Sequence, residues 1–454
     1  LYNTMTTLIL IQLLIVLILI FVGARIGGIG MGIMGMLGVF ILVYGFGMQP
    51  GKIPMDVILI IVSVITAAAT LQASGGLDYL VGVAARFLRR HPDHITYYGP
   101  MVCWLFCIVA GTAHTCYSLL PIISEIAQKN KVRPERPLSV SVIAASLGIT
   151  GSPVSAATAA IISVDMLGGK GIELKDILLV CIPASIIAII VAAFVQNKIG
   201  KELEEDPVYQ QRLQAGLINA QSGKDGYQDV QMTPEQERRA KRSVWAFLFG
   251  VALVVLFGSV PSLRPSFELA DGTIKSVSMS ETIEMVMMAV AALILWVGKV
   301  DVSKAASGSV FSAGMNAMVS IFGIAWMGDT YFSGHLDFYS QGISTIVTQM
   351  PMLFAVALFL MSIMLFSQAA TVRTVYPLGI ALGINPMLLI AMFPACNGYF
   401  FLPNYPTEVA AINFDQTGTT KAGKYVINHS FQLSGFITTF VSIGIAYLTV
   451  VLFY

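Results

Sequence analysis

Long stretches almost free of charged side chains constrain this chain more than any other feature of its sequence. An α-helix needs about 20 mostly apolar residues to cross the hydrocarbon core of a bilayer. Eight simple stretches of roughly that length are present, at 5–24, 28–48, 55–77, 177–197, 243–261, 282–298, 305–328 and 428–454. Charged residues make up only 11% of the 454 residues, against about 25% in soluble domains. The sequence therefore predicts an all-α polytopic membrane protein.

Four further apolar stretches are interrupted near the middle by small and polar residues. The stretches and their interruptions are 95–124 with 111–115, 338–372 with 367–371, 137–164 with 150–155, and 386–414 with 403–408. The first two contain no formal charge and are too long for one straight crossing, so we expect each to form a re-entrant hairpin. The last two contain a proline, which removes a backbone donor and clashes with the preceding turn, so we expect broken crossings. Each half then has five crossings plus one hairpin.

A hydrophilic segment, residues 197–242, separates the halves and holds 16 of the 51 formal charges. We interpret 1–196 as the first membrane repeat, 197–242 as a linker and 243–454 as the second repeat. This topology puts 20 of the 26 Lys and Arg residues on the linker's side and five on the other. Because short loops rich in Lys and Arg remain in the cytoplasm, we expect a cytoplasmic linker and both termini outside. An odd number of crossings inverts the second half, and inverted repeats with paired broken helices are typical of secondary transporters.

The four interruptions are the predicted binding site. Irregular backbone at membrane depth persists only where protein buries it or where it lines a wet cavity, so we expect the four broken segments to meet near the midplane. Each starts a new helical arm, near Cys116, Val154, Val372 and Thr407, and helix N-termini attract small anions. The predicted binding residues are Thr112, His114, Thr115, Thr150, Ser152, Ser155, Gln368, Thr371, Arg373, Asn404 and Thr407.

Simpler interpretations of these residues remain open. Ser and Thr in membrane helices often serve packing or bond to nearby backbone, His114 could be an ordinary core histidine, and Arg373 could pair with an acid. Glu408 could be a helix-start carboxylate, a group that tunes selectivity, or a proton carrier. The five Cys and five His form no ligand cluster, so we expect no metal, cofactor or disulfide. The net charge of +1 gives no argument for nucleic-acid binding, and no motif typical of an enzyme is present.

Several short motifs, in order along the chain, identify a family. They lie at 23–29, 71–78, 133–137, 152–155, 367–370, 414–420 and 426–431. Through them the chain resembles, over nearly its whole length, the anaerobic C4-dicarboxylate transporters of the Dcu family, A/B type, within a wider ion-transporter superfamily. It departs from the family pattern at Asn404, while Arg373 and Glu408 fall at positions that vary.

The resemblance implies a transporter of the bacterial inner membrane with periplasmic termini. It would exchange fumarate, malate or aspartate for succinate by elevator-type alternating access, with the first three crossings of each half as a scaffold. It also implies a lipid-embedded homodimer and, for some relatives, a sensor-kinase partner. Exchange is favoured physically because a site with partial positive charge moves more readily when an anion neutralises it. Proton- or Na⁺-coupled dicarboxylate symport is the alternative, and an anion channel or a sensory protein is a third possibility.

Overall fold

The computed structural model describes residues 2–26, 28–53, 55–218, 232–268, 272–335, 338, 350–365, 367–403, 405–423 and 428–454. Across these ranges the chain is almost entirely helical. The one sheet found within them is a short antiparallel hairpin of β1 (Ser266–Glu268) and β2 (Ile274–Ser276), in which Phe267 pairs with Lys275. The all-α fold expected from the sequence is therefore confirmed.

The described residues of the first half contain nine α-helices, and those of the linker add a tenth. They are α1 (Tyr2–Ile26), α2 (Gly30–Phe40, extended by a π-helical turn at Ile41–Gly45), α3 (Met55–Ala73), α4 (Gly76–Arg90), α5 (Ile95–Ala110), α6 (Leu120–Lys129), α7 (Glu135–Gly148), α8 (Ala156–Ile162), α9 (Leu174–Gln196) and, in the linker, α10 (Pro207–Gln214). The surface helix α4 was not predicted. It buries Val81 and Leu88 and exposes Arg86 and Arg89, a pattern typical of a helix at a membrane interface.

The described residues of the second half contain nine helices. They are α11 (Pro234–Ser259), α12 (Met279–Gly298), α13 (Val302–Ser307), α14 (Ser309–Gly334), α15 (Phe354–Leu365), α16 (Gln368–Ala381), α17 (Pro386–Met392, followed by a 3₁₀ segment at Phe393–Phe401), α18 (Pro406–Phe414) and α19 (Gln432–Phe453). Each of the ten predicted crossings coincides with one helix or with one broken pair. The inverted relation of the two halves stays a prediction.

The largest difference in boundaries is at α11, which begins at Pro234, nine residues before the predicted crossing. Thr233 and Gln236 form a capping box there, and Pro234 occupies the first helical position. Both features start a helix whether or not lipid surrounds it. The last part of the predicted linker is therefore the first two turns of α11.

The helices pack as two groups. A frame consists of α1, α2, α3, α11, α12 and α14, which contact one another through the pairs α2–α14, α3–α12 and α11–α12. A hairpin group consists of α5 to α9 and α15 to α19, in which α7 lies against α5, and α19 lies against α9. The two groups meet where α8 and α16 pack beside α3 and α14.

Glycines let the frame helices α2 and α14 approach backbone to backbone. A Cβ atom added at Gly323 would lie 1.9 Å from the carbonyl oxygen of Gly32, and one added at Gly35 would lie 2.4 Å from the carbonyl carbon of Gly323. Small residues are the usual means of close helix packing in membranes, where dispersion contacts replace the hydrophobic effect. The glycine-rich segment that begins α2 is therefore a packing surface.

This packing predicts a steric penalty for Gly323→Ala. The added methyl group must push α2 and α14 apart, and we expect the free energy of unfolding to fall by about 1–3 kcal/mol. Gly444→Ala in α19 is the matched control, because nothing lies within 4 Å of its added Cβ. Thermal unfolding of both purified variants in detergent measures the difference, and equal stability of the two would contradict the packing argument.

Buried ion pairs fix the start of the linker to the hairpin group. Arg133, just before α7, donates to Glu135 (2.6 Å) and pairs with Asp206, which also caps α10. Burial alone would raise the pKa of Asp206, but hydrogen bonds from the amide of Tyr209, from Arg133 and from the amide of Val208 hold that pKa below its usual range. The linker segment before α10 therefore belongs physically to the hairpin group.

Asp206→Asn isolates the charge in this network, because asparagine can still accept hydrogen bonds from the α10 amides. A lowered folded-state pKa means that the ionised carboxylate stabilises the fold above its unfolded pKa, about 3.9, and that this contribution is lost as the pH falls through the folded pKa. We expect the variant to lose about 2 kcal/mol at neutral pH and the difference from wild type to shrink in acid. Thermal unfolding across this pH range tests the sign, and a pH-independent difference would contradict it.

Candidate functional site

A cavity of about 590 Å³ lies between the frame and the hairpin group. Residues of α2, α3 and α14 form its frame side. All four interrupted segments border it on the other side. Their lining residues are 110–115, 117 and 118 in the first hairpin, 149, 154, 156 and 157 in the first broken crossing, 365 and 367–369 in the second hairpin, and 399, 405 and 406 in the second broken crossing.

The two interruptions of the first half touch each other. Helix α5 ends at Ala110, and the next residue, Gly111, has a left-handed φ of 72°. A Cβ atom at Gly111 would lie 2.7 Å from the carbonyl oxygen of Val154. The Ser152 hydroxyl donates to the carbonyl of Ile108 at 2.7 Å. Glycine is required here both for the backbone angle and for the close approach, and the contacts hold the hairpin tip against the start of α8.

In the second half, the first arm of the broken crossing ends at Phe401 and α18 begins at Pro406, with a bend of 55° between them, so the predicted interruption is confirmed. A further irregularity was not predicted: helix α17 ends at Met392 and continues as the 3₁₀ segment Phe393–Phe401. Within this segment Asn397 has non-helical angles (φ −99°, ψ 22°), and the amide of Gly398 donates to the Ser362 hydroxyl at 2.8 Å. A side chain from α15 thus supports the backbone of this segment beside its kink.

Four predicted binding residues line the cavity, namely Thr112, His114, Thr115 and Gln368. Thr112 caps the 3₁₀ segment at Ala113–Ser118 by accepting from the amide of His114 at 3.3 Å. The imidazole of His114 stacks on Tyr117, with ring centroids 5.8 Å apart. The first hairpin tip therefore presents a hydroxyl, an imidazole and a phenol ring to the cavity.

Four other predicted residues use their hydroxyls within the backbone of the interruptions. Thr150 donates to the carbonyl of Leu147, Ser152 to that of Ile108, Ser155 to that of Ile149, and Thr371 to that of Ser367, at 2.7 to 2.9 Å. Ser155 also caps α8 by accepting from the amide of Thr158. These bonds engage the hydroxyls with nearby backbone carbonyls, and none of the four side chains lines the 590 Å³ cavity.

Arg373 faces a different, smaller cavity of about 390 Å³. Its Nη1 atom donates to both carboxylate oxygens of Asp165, at 2.9 and 3.1 Å, and to the Ser163 hydroxyl at 3.2 Å. Burial raises the pKa of Asp165, but the bonds and charge of Arg373 outweigh burial, so the net pKa is below its usual value. The arginine thus ties α16 to the loop that follows α8.

The start of α18 holds buried polar atoms without partners. Thr407 and Glu408 are 0% and 1% exposed. Within the described part of the chain, the Oγ1 atom of Thr407 and the Oε2 atom of Glu408 have no hydrogen-bond partner. The predicted residue Asn404 lies outside the described residues.

Three polar residues near the cavity were missed by the sequence analysis: Ser146, Asn397 and Tyr399. Asn397 and Tyr399 lie in the unexpected 3₁₀ segment, and Ser146 lies near the end of α7. The Gln368 side chain reaches toward all three. The pair Asn397-Gly398 inside an apolar run, three residues after a proline, was the signal available in the sequence.

The 590 Å³ cavity has no Lys, Arg, Asp or Glu among the residues described as lining it. Its polar surface comes from hydroxyls, amides, phenols and one imidazole, together with the helix starts at Gln368 and Pro406. Neutral donors and helix N-termini can bind an anion without introducing a full charge of their own. This chemistry fits a small anionic ligand.

Comparison with known proteins agrees with this chemistry. Residues 8–454 match the family model described as anaerobic C4-dicarboxylate membrane transporter. The chain belongs to this family. It is 40% identical to the anaerobic C4-dicarboxylate transporter DcuB of Escherichia coli O6:H1 over 440 residues, covering 95% of this chain and 96% of that protein. The family resemblance seen in the sequence is confirmed, and the chain is a multi-pass membrane transporter rather than an enzyme.

Two other transporters of the family are similar to almost the same extent. The C4-dicarboxylate transporter DcuA of Escherichia coli K12 is 41% identical over 426 residues (94% of this chain and 95% of that protein). DcuA of Wolinella succinogenes is 39% identical over 437 residues (96% and 98%). Among solved structures, the YdaH transporter of Alcanivorax borkumensis shares the fold, with a TM-score of 0.55, 16% identity and coverage of 91% of this chain and 87% of that one.

A double-mutant cycle tests whether Arg373 is structural in this family member. Arg373 and Asp165 bond to each other outside the large cavity. We therefore expect Arg373→Leu and Asp165→Asn each to lower the free energy of unfolding by about 1–3 kcal/mol. The double variant should lose clearly less than the sum of the two single losses, because both variants remove the same interaction. Dicarboxylate affinity should stay within roughly twofold of wild type. A large loss of dicarboxylate affinity in Arg373→Leu, at unchanged stability, would show instead that this arginine binds the substrate.

Proposed function

We propose that the chain exchanges C4-dicarboxylates across the bacterial inner membrane, with fumarate, malate or aspartate entering and succinate leaving. The observation that carries the proposal is that all four interruptions border one cavity whose described lining residues carry no formal charge. The dicarboxylate would lie there, in contact with Thr112, His114, Thr115 and Gln368. The names of the relatives support the substrate class.

The electrostatics of the cavity favour exchange over net uptake. Helix N-termini aimed at the cavity carry partial positive charge, and moving that charge unneutralised through a low-dielectric barrier is costly. A bound dianion neutralises it, so the loaded transporter moves more readily. Succinate and fumarate carry equal charge, so one-for-one exchange does no net work against the membrane potential.

An elevator-type movement would carry the hairpin group past the frame. The cavity reaches Gln72 near the end of α3 and Ser309 at the start of α14, which are bonded to each other at 2.7 Å. A Cβ atom added at Gly75, beside the end of α3, would lie 3.5 Å from Met232 and 3.8 Å from Ala240 at the linker end of α11. The cavity thus extends toward the linker, the side that the basic residues predict to be cytoplasmic. Periplasmic termini are a further part of the proposal and rest on the distribution of Lys and Arg, whereas a homodimer in lipid and a sensor-kinase partner rest on the family resemblance.

Glu408 favours a second candidate function, cation-coupled symport. A carboxylate buried from water without a partner is costly in its charged form, and it becomes stable when it takes up a proton or a cation. Its Oε2 atom has no partner in the described part of the chain, and it lies beside Tyr405, which lines the cavity. Coupled uptake would use this site for the proton or Na⁺.

Uptake of labelled fumarate by proteoliposomes separates the two functions. For exchange, we expect vesicles loaded with succinate to take up fumarate at least tenfold faster than empty vesicles, and removal of proton and Na⁺ gradients to leave this rate unchanged. Protein-free vesicles and excess unlabelled fumarate are the controls. Equal rates in loaded and empty vesicles would contradict exchange, and collapse of uptake without a cation gradient would favour symport.

A further inference from the structure

Four buried polar side chains from three separate elements meet at one edge of the cavity. We call Ser146, Gln368, Asn397 and Tyr399 the amide cluster. The Nε2 atom of Gln368 lies 2.8 Å from the carbonyl oxygen of Ser146, 3.3 Å from Asn397 Oδ1 and 3.4 Å from Tyr399 Oη. Gln368 and Tyr399 also line the cavity, so the cluster is continuous with the proposed binding space.

The cluster contains more hydrogen-bonding capacity than the described residues use. Asn397 and Ser146 are each 1% exposed, and Gln368 is 2% exposed. Even so, within the described ranges Asn397 Nδ2 and Gln368 Oε1 have no partner, and the Ser146 hydroxyl interacts with Tyr399 alone. Buried polar atoms in folded proteins are nearly always paired, so the unpartnered amide donor of Asn397 in this cluster indicates a ligand-binding function.

We infer that the amide cluster is a subsite for one carboxylate group of the dicarboxylate, an inference that rests on the proposed function. Asn397 Nδ2 and the Ser146 hydroxyl are donors, and an ionised carboxylate only accepts. Gln368 is a positioning residue, because its amide is already bonded to the carbonyl of Ser146 and orients Asn397. It also begins α16, whose N-terminus adds partial positive charge.

A separate subsite for the second carboxylate explains how the protein can select dicarboxylates without a cationic side chain in the cavity. The first hairpin tip, with Thr112 and His114, lines the same cavity and would hold the other carboxylate. A monocarboxylate of the same length would occupy the tip and leave the amide cluster unpaired. A site built to hydrogen-bond a group rejects ligands that lack it, because the buried donors are then left without partners.

The test compares binding of succinate and butyrate to the full-length protein purified in detergent. Asn397→Ala and Ser146→Ala each remove one donor from the subsite. We expect each to weaken succinate binding about tenfold, which corresponds to about 1.4 kcal/mol, and to leave the weaker butyrate binding unchanged. The variants therefore lose discrimination between the two ligands.

Ser141→Ala is the matched control. Ser141 lies on the same helix as Ser146, but its hydroxyl faces α5, where it interacts with Cys103 and would lie 3.3 Å from a Cβ atom added at Gly99. We expect it to bind both ligands as wild type does. Thermal unfolding of every variant reports folding separately from affinity.

The outcomes distinguish this inference from the proposed function. Wild-type succinate affinity in both variants would overturn the subsite, as would an equal loss of succinate and butyrate binding. If Asn397→Ala fails to fold, the conservative Ser146→Ala variant decides by the same criterion. If the wild-type protein binds no C4-dicarboxylate, the proposed function itself fails.

Discussion

The structure depends on one constraint: inside a bilayer, every backbone N–H and C=O must find a partner within the protein. A continuous helix is the simplest way to meet this requirement, and the four interrupted helices depart from it. Each is repaired locally, as when Ser152 bonds to the carbonyl of Ile108 and when Ser362 accepts from the amide of Gly398. Such repairs are possible only where another helix covers the break, so the interruptions pack together and leave a common cavity beside them.

The same low dielectric explains the distribution of charge. A full charge in the cavity would need a permanent partner, and the one arginine in an apolar segment, Arg373, has such a partner in Asp165. The cavity itself offers neutral donors and helix ends, whose attraction for an anion is balanced when a dianion binds. Charge compensation by the ligand, rather than by the protein, is the basis on which we propose exchange.

The two helix groups are held together by different forces. In the frame, glycines bring α2 and α14 into backbone contact, which favours a rigid unit. In the hairpin group, polar bonds at the interruptions and the ion pairs of Arg133 and Arg136 with linker residues provide the cohesion. Because the linker segment before α10 is fixed to the hairpin group, movement of this group against the frame would have to be absorbed after α10.

The sequence by itself determined the all-α membrane fold, the positions of the interruptions and the family, because charge-free length, proline and small-residue breaks are local properties of the chain. It could not determine which hydroxyls remain available to a ligand. Thr371 and Ser155 bond to their own backbone, whereas Asn397 is brought to Gln368 across 29 residues. Those outcomes, like the partner of Arg373, depend on distances between elements far apart in the chain, and only packing sets these distances.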